Sequence, residues 1–167
     1  MRTREFTAAI GGVIVAFLLY TVLSRISTYL IYALNVFSIV VIHFAVKRGE
    51  TSGALMGAFC GLIQDSFSVG VFGLSGISKT AMGFIAGYAS RRINVVQFKK
   101  QFVFIFFLLC IELIIWSSLY SFILSERLNT AGGLLLLQPI VTALLGSLFF
   151  LFLPKLKALF IRPKDEK

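Results

Sequence analysis

Glu112 is the ionisable residue whose place in the sequence most needs an explanation. It lies in the middle of a long apolar run, within Leu108–Leu113, where an ionisable side chain is costly and indicates a function by default. No basic residue is expected at the same depth, so Asn35, Gln138 and Thr142 are the predicted partners of its carboxyl group, which can then be protonated. Two roles stay open: a proton relay or substrate contact, and a hydrogen bond that holds helices together.

A second group of residues recurs at intervals of four. Gly53, Gly57, Gly61 and Asp65 would form one stripe on a helix, and glycines at this spacing let helix backbones approach closely. Asp65 ends the stripe near an outer boundary and follows Gln64 directly. The pattern predicts either a packing ridge that ends in an interfacial aspartate or a ligand or partner contact at Asp65.

Two further stripes consist of small residues alone. Gly83 and Gly87 give a later helix a small face, which the Gly53 stripe can satisfy within the molecule. Ala8, Gly12 and Ala16 form a similar face near the N-terminus. Because the first helix is expected at the periphery, this face is a candidate contact surface for another protein, and packing within the chain is the alternative.

The segment Gly70–Gly76 is rich in glycine and leads into a helix. It superficially resembles a phosphate-binding loop, but it lacks the lysine-Ser/Thr ending and a preceding strand. A tight reversal is the better interpretation, with Ser75 or Ser78 as the predicted cap of the following helix.

The remaining reactive side chains give little basis for catalysis. Cys60 and Cys110 both lie in apolar runs, and His43 is the only histidine, so neither a metal site nor a bound cofactor is expected. No nucleophile, base and orienting group can be assembled into a set. The sequence therefore predicts a protein that is not an enzyme.

The elements that must position these residues are membrane spans. The chain is 58% hydrophobic and 14% charged, with a mean hydropathy of +0.94, which is typical of a lipid-embedded domain. The pattern predicts an all-α bundle of six transmembrane helices in a single domain, residues 1–167, with a basic tail at 154–167. The predicted spans are Phe6–Leu23, Thr28–Val46, Thr51–Phe67, Leu74–Ser90, Phe102–Leu124 and Gly132–Leu153.

The basic residues predict the orientation of this bundle. The net charge is +9, but the basic residues flank apolar segments instead of forming one patch, which argues against a nucleic-acid partner. The predicted inner side carries Arg2, Arg4, Lys47, Arg48, Arg91, Arg92, Lys99, Lys100 and the basic residues of the tail, whereas the outer loops hold Arg25, Lys79 and Arg127. Both termini are therefore expected in the cytoplasm, in a multi-pass protein of the inner membrane, and the tail can lie on anionic lipid.

The stretch from Gly57 to Gly87 resembles MreD, the rod shape-determining membrane protein family. The resemblance rests on Gly61-Leu62-Ile63-Gln64-Asp65, the loop Gly73-Leu74-Ser75, the pair Lys79-Thr80 and the glycine-bearing Gly83–Gly87. Chain length, the basic turn at Lys47-Arg48 and the polybasic end are also similar. One departure is Leu34-Asn35, where family members often carry a proline before the second span.

The resemblance implies a non-enzymatic subunit of the bacterial elongation machinery, which supports peptidoglycan synthesis and cell shape. It implies direct binding to MreC and, through the complex, association with RodA, a class B transpeptidase and the actin-like MreB filament. The family is similar in fold to the six-helix substrate-binding components of energy-coupling-factor transporters. That similarity supplies the alternative: a membrane component that binds a small, vitamin-like molecule.

Overall fold

The computed structural model describes residues 3–67, 71–93, 98–124 and 133–160, and these ranges contain α-helices and no strand. The predicted all-α class is thereby confirmed for this part of the chain. The helices are α1 (Thr3–Ile26), α2 (Thr28–Ala33), α3 (Val36–Arg48), α4 (Glu50–Phe67), α5 (Leu74–Ser90), α6 (Phe98–Leu124) and α7 (Leu134–Phe160).

The second predicted span is two helices instead of one, so the continuous helix expected over Thr28–Val46 is wrong. Helix α2 ends at Ala33, and the backbone of the following Leu34 is extended (φ −132°, ψ 116°). Asn35 then caps α3, because its Oδ1 accepts a hydrogen bond from the backbone N–H of Ser38 at 3.3 Å. Asparagine favours this position because its side chain can replace the missing helical bond. The break therefore falls at the Leu34-Asn35 departure.

Among the described residues, two helices are long and apolar enough to cross a membrane: Phe98–Leu124, and Leu135–Phe152 within α7. At about 1.5 Å per residue, the first is longer than the roughly 30 Å of a hydrocarbon core and the second is close to that length. Only 28% of each apolar window is buried inside the protein, whereas the core helix of a soluble protein is mostly buried. Large apolar side chains such as Phe107, Ile114 and Phe122 are exposed instead, which supports a location in lipid.

Helices α4 and α5 form a hairpin whose backbones touch at glycines. A Cβ atom placed on Gly53 would collide with the backbone of Gly83, and one placed on Gly57 would collide with the carbonyl group of Lys79. Gly61 lies against the first turn of α5 in the same way. Each four-residue step along α4 is thus matched by a four-residue step back along α5, which fixes an antiparallel register.

Helix α3 lies at the centre of the bundle. It packs against α1, α4, α5 and α7, while α6 packs against α5 and α7 and the short α2 against α1 and α7. The apolar core is built around α3 side chains such as Phe37, Val41 and Ile42. The first turn of α3 also carries the buried polar residue Ser38, and α5, α6 and α7 meet near this turn.

Candidate functional site

A group of buried polar side chains lies at the start of α3. It is formed by Asn35, Ser38, Lys79, Glu112 and Thr142, which come from the α2–α3 break, α3, α5, α6 and α7, and is called the polar cluster below. None of the five is more than 8% exposed, and Lys79 is only 1% exposed. The structure thereby places Glu112 near two of its three predicted partners, Asn35 and Thr142. It also places Glu112 near Lys79, which was predicted to lie in an outer loop.

Glu112 is the acceptor at the centre of the polar cluster. Its Oε1 accepts a hydrogen bond from the side-chain amide of Asn35 at 3.1 Å, and its Oε2 accepts one from the hydroxyl group of Ser38 at 2.6 Å. The Nζ of Lys79 forms a salt bridge with Oε1. A carboxylate that receives three donors at a buried position is well compensated for its loss of water.

Lys79 corrects two predictions. It was assigned to an outer loop, but it lies inside α5 and is almost completely buried. The expectation that no basic residue matches the depth of Glu112 is also wrong, since the two side chains form a direct ion pair. A cation and an anion that neutralise each other can share a low-dielectric interior that would exclude either one alone.

The sequence did carry a signal for the position of Lys79. Ser75, Lys79, Gly83 and Gly87 follow one another at intervals of four, so Lys79 lies on the same face of α5 as the two packed glycines. A lysine on a face that touches another helix cannot extend into the outer solvent. Lys79 also donates a hydrogen bond to the Ser38 hydroxyl oxygen at 2.9 Å.

Asn35 and Thr142 connect the polar cluster to α7. The break before α3 leaves the backbone N–H of Asn35 without a helical acceptor, and this N–H donates to the Oγ1 of Thr142 at 3.0 Å. Thr142 therefore belongs to the cluster but bonds to Asn35 and not to Glu112. Gln138, the third predicted partner, lies half-buried one turn earlier on α7, and the bonds described for Glu112 come from other residues.

Asp65 lies at the loop end of the α4–α5 hairpin and caps α5 from outside that helix. Its carboxylate accepts backbone hydrogen bonds from Gly73 at 2.9 Å, Ser75 at 3.2 Å and Gly76 at 3.1 Å. The predicted cap by Ser75 or Ser78 is wrong, because the cap residue is Gly73 (φ +100°) and makes no side-chain bond. An anion at a helix N-terminus is stabilised by the unpaired N–H groups and the helix dipole. Gln64 beside it is half-buried.

The small face of α1 points into the molecule. Ala16 is completely buried, and a Cβ on Gly12 would be in ordinary contact with Val40 and Phe44 of α3 at 3.5 and 3.6 Å. The side chain of Ala8 lies outside the described residues. Gly12 and Ala16 therefore take the alternative role, packing within the chain, because α1 packs on α3 through this face. Gly11, by contrast, has open space on its outer side.

The polar cluster is chemically a cross-link. Its hydrogen bonds and ion pair join α3, α5, α6 and α7 at one level, with the charge of Lys79 balanced by that of Glu112. Fold and cluster together define a class: an all-helical protein with apolar outer helices and an internal ionic cross-link. Comparisons of this chain with protein-family models, curated proteins and solved structures found no match.

Proposed function

We propose that this protein is a non-enzymatic membrane subunit of the bacterial cell-elongation (rod) complex. In this proposal it supports peptidoglycan synthesis and cell shape by binding MreC directly, and it associates with RodA, a class B transpeptidase and MreB through the complex. The proposal rests on the MreD resemblance of Gly57–Gly87 and on one observation. This stretch lies in the α4–α5 hairpin, which packs inside the molecule on one side and presents an open apolar surface on the other.

The inner side of the hairpin is used for internal packing. Gly53, Gly57 and Gly61 are buried against α5, and Lys79 is buried in the polar cluster. These contacts hold the two helices at a separation that side chains would prevent. The close approach of the two helices therefore sets the spacing of the residues on the outer side of the hairpin.

The outer side of the hairpin is an open apolar groove of about 720 Å³. Small residues such as Ala54, Ala58 and Ala81 line it, and larger ones such as Leu62 and Phe84 border it. Small residues let a further apolar helix approach closely, which is how helices associate where lipid removes the hydrophobic drive. We propose this groove, and not the face of α1, as the contact surface for a transmembrane helix of a partner subunit.

The alternative, a component that binds a small vitamin-like molecule, would need polar groups in an accessible pocket to fix its ligand. The lining of this groove is almost entirely apolar. The polar groups of the cluster are buried and bonded to one another. Both observations favour partner binding over small-molecule binding.

A bulky residue in the groove tests this function. Ala58→Leu should displace a partner helix and reduce the amount of MreC that co-purifies by about tenfold or more, since overpacking of a close interface typically costs 1–3 kcal/mol. Gly11→Leu adds bulk to an outer face of α1 that has open space and serves as the matched control. Both variants should keep the wild-type thermal stability. If Ala58→Leu retains MreC at the wild-type level, the groove is not the contact surface; a vitamin-like molecule bound to the purified chain, with no MreC, would favour the alternative.

We also propose the six-span topology with both termini in the cytoplasm, in which α2 and α3 share one span. About 12 residues separate Lys79 from Arg91 along α5, and about as many separate Lys100 from Glu112 along α6. At about 1.5 Å per residue, the polar cluster is roughly 18 Å from both basic ends, close to half a bilayer. With Lys79 inside α5, the predicted outer loops hold only Arg25 and Arg127. Reporter fusions at Asn129 should be external and fusions after Lys167 internal, and a consistently external C-terminus would refute the topology.

A further inference from the structure

Six basic residues lie in one layer at one end of the bundle. The chain turns from α3 to α4 at Gly49, and the register of α4 against α5 places the end of α5 beside that turn. Helix α6 begins a few residues later. This layer, called the basic layer below, contains Lys47, Arg48, Arg91, Arg92, Lys99 and Lys100. The only acidic side chain described beside it is that of Glu50.

Two arginines of the basic layer are held in place while their charges stay accessible. Arg91 lies against Gly49, which has φ +90° and no side chain to displace it, and its Nη1 is 3.4 Å from a carboxylate oxygen of Glu50. The Arg91 side chain is nevertheless 63% exposed. The guanidinium group of Arg92 lies over the ring of Tyr88, 4.8 Å from its centre. Guanidinium groups fixed in this way lose little freedom when they bind a phosphate.

The start of α6 places two further positive charges at a helix N-terminus. Lys99 and Lys100 lie in its first turn, are exposed, and have no acidic residue in that turn. Positive charge at a helix N-terminus is unfavourable because the unpaired N–H groups there already carry partial positive charge. The same groups bind phosphates, so a bound anion would offset both sources of positive charge.

We propose that the basic layer is a binding surface for the phosphate headgroup of an anionic phospholipid. The charges of the layer and of the lipid are complementary, and the apolar side chains exposed on α6 below the layer suit the acyl chains of the same molecule. This surface is separate from the α4–α5 groove, so its test can fail without affecting the proposed function.

The test measures lipid binding to the full chain, purified in neutral detergent, by native mass spectrometry. Phosphatidylglycerol should bind in preference to phosphatidylcholine. Arg92→Gln combined with Lys99→Gln should weaken phosphatidylglycerol binding by about thirtyfold, as expected for two basic residues near an anionic surface. Arg92→Lys combined with Lys99→Arg keeps the charges and should retain most of the binding.

The control removes two charges from the predicted outer loops, with Arg25→Gln and Arg127→Gln, and should leave lipid binding unchanged. Equal losses in the two Gln pairs would show a general charge effect and overturn the proposal. The absence of any preference for phosphatidylglycerol in the wild type would do the same. If inorganic phosphate alone binds as tightly as phosphatidylglycerol, the surface binds a soluble anion and the lipid proposal fails.

Discussion

The α4–α5 hairpin and the α6–α7 pair are both packed pairs of helices, but different kinds of residue make their contacts. In the hairpin, backbone meets backbone at Gly53, Gly57 and Gly61, and a lysine is buried between the helices and the rest of the bundle. In the other pair the helices are long and apolar, and Gly146 of α7 meets only side chains, at ordinary contact distances of 3.5 Å or more.

This difference assigns different physical roles to the two pairs. Long apolar helices can cross lipid, so α6 and α7 can serve as anchors once Glu112 of α6 is paired. The helices of the hairpin are shorter and contain Lys79 and Asp65, so they depend on specific contacts with α3 and α6 to remain buried. Substitutions in the hairpin and its cross-link should therefore be far more damaging than comparable substitutions in the α6–α7 contact.

The largest effect is expected from Glu112→Leu, which removes the anion from the polar cluster. Lys79 would remain buried with no balancing charge, a change that typically costs about 3–5 kcal/mol. Thermal unfolding in detergent should show a strongly destabilised protein with low expression. The double variant Lys79→Met, Glu112→Leu should regain most of the lost stability, because no unpaired charge is left. A double variant as unstable as the single one would contradict the proposed coupling.

The second prediction compares the loss of stability caused by alanine at two glycines, Gly57 and Gly146. Gly57→Ala places a Cβ against the backbone of α5, which must move, and should cost about 1–3 kcal/mol. Gly146→Ala meets only side chains at normal distances and should be neutral or slightly stabilising, since alanine favours a helix over glycine by up to about 1 kcal/mol. Thermal stability of the two variants, measured in the same detergent, should separate them. Equal behaviour would mean that the hairpin has no special need for close backbone approach.

The smallest effect is expected at the loop end of the hairpin, where Asp65 caps α5. Asp65→Ala removes the acceptor for three backbone N–H groups of α5 and should cost about 0.5–2 kcal/mol, the usual range for a lost helix cap. Hydrogen exchange should increase at the amides of Gly73, Ser75 and Gly76. Asp65→Asn keeps one acceptor oxygen and should lie between the wild type and Asp65→Ala. Exchange that rises equally in α6 would indicate general unfolding instead of a local loss of the cap.

Much of the local structure follows directly from the sequence. Apolar runs of about 17–23 residues predicted the positions of α4, α5, α6 and most of α7, because hydrophobic length is a property of the chain alone. The bounds of α4 and α5 differ by at most one residue from the predicted spans. Glu112 was identified as a buried acid in need of partners, and Asn35 was among those named, because a carboxyl group deep in an apolar run cannot remain unpaired.

Partner choice was decided only by the tertiary structure. Lys79 pairs with Glu112 because α5 packs against α6 with two residues that are 33 positions apart at the same depth. Asp65 caps α5 because the chain reverses after α4, so that the first turn of α5 lies beside the end of α4. Composition and spacing determine which segments are helical and which faces are small. They do not determine which charges meet, because that depends on how helices distant in sequence are placed side by side.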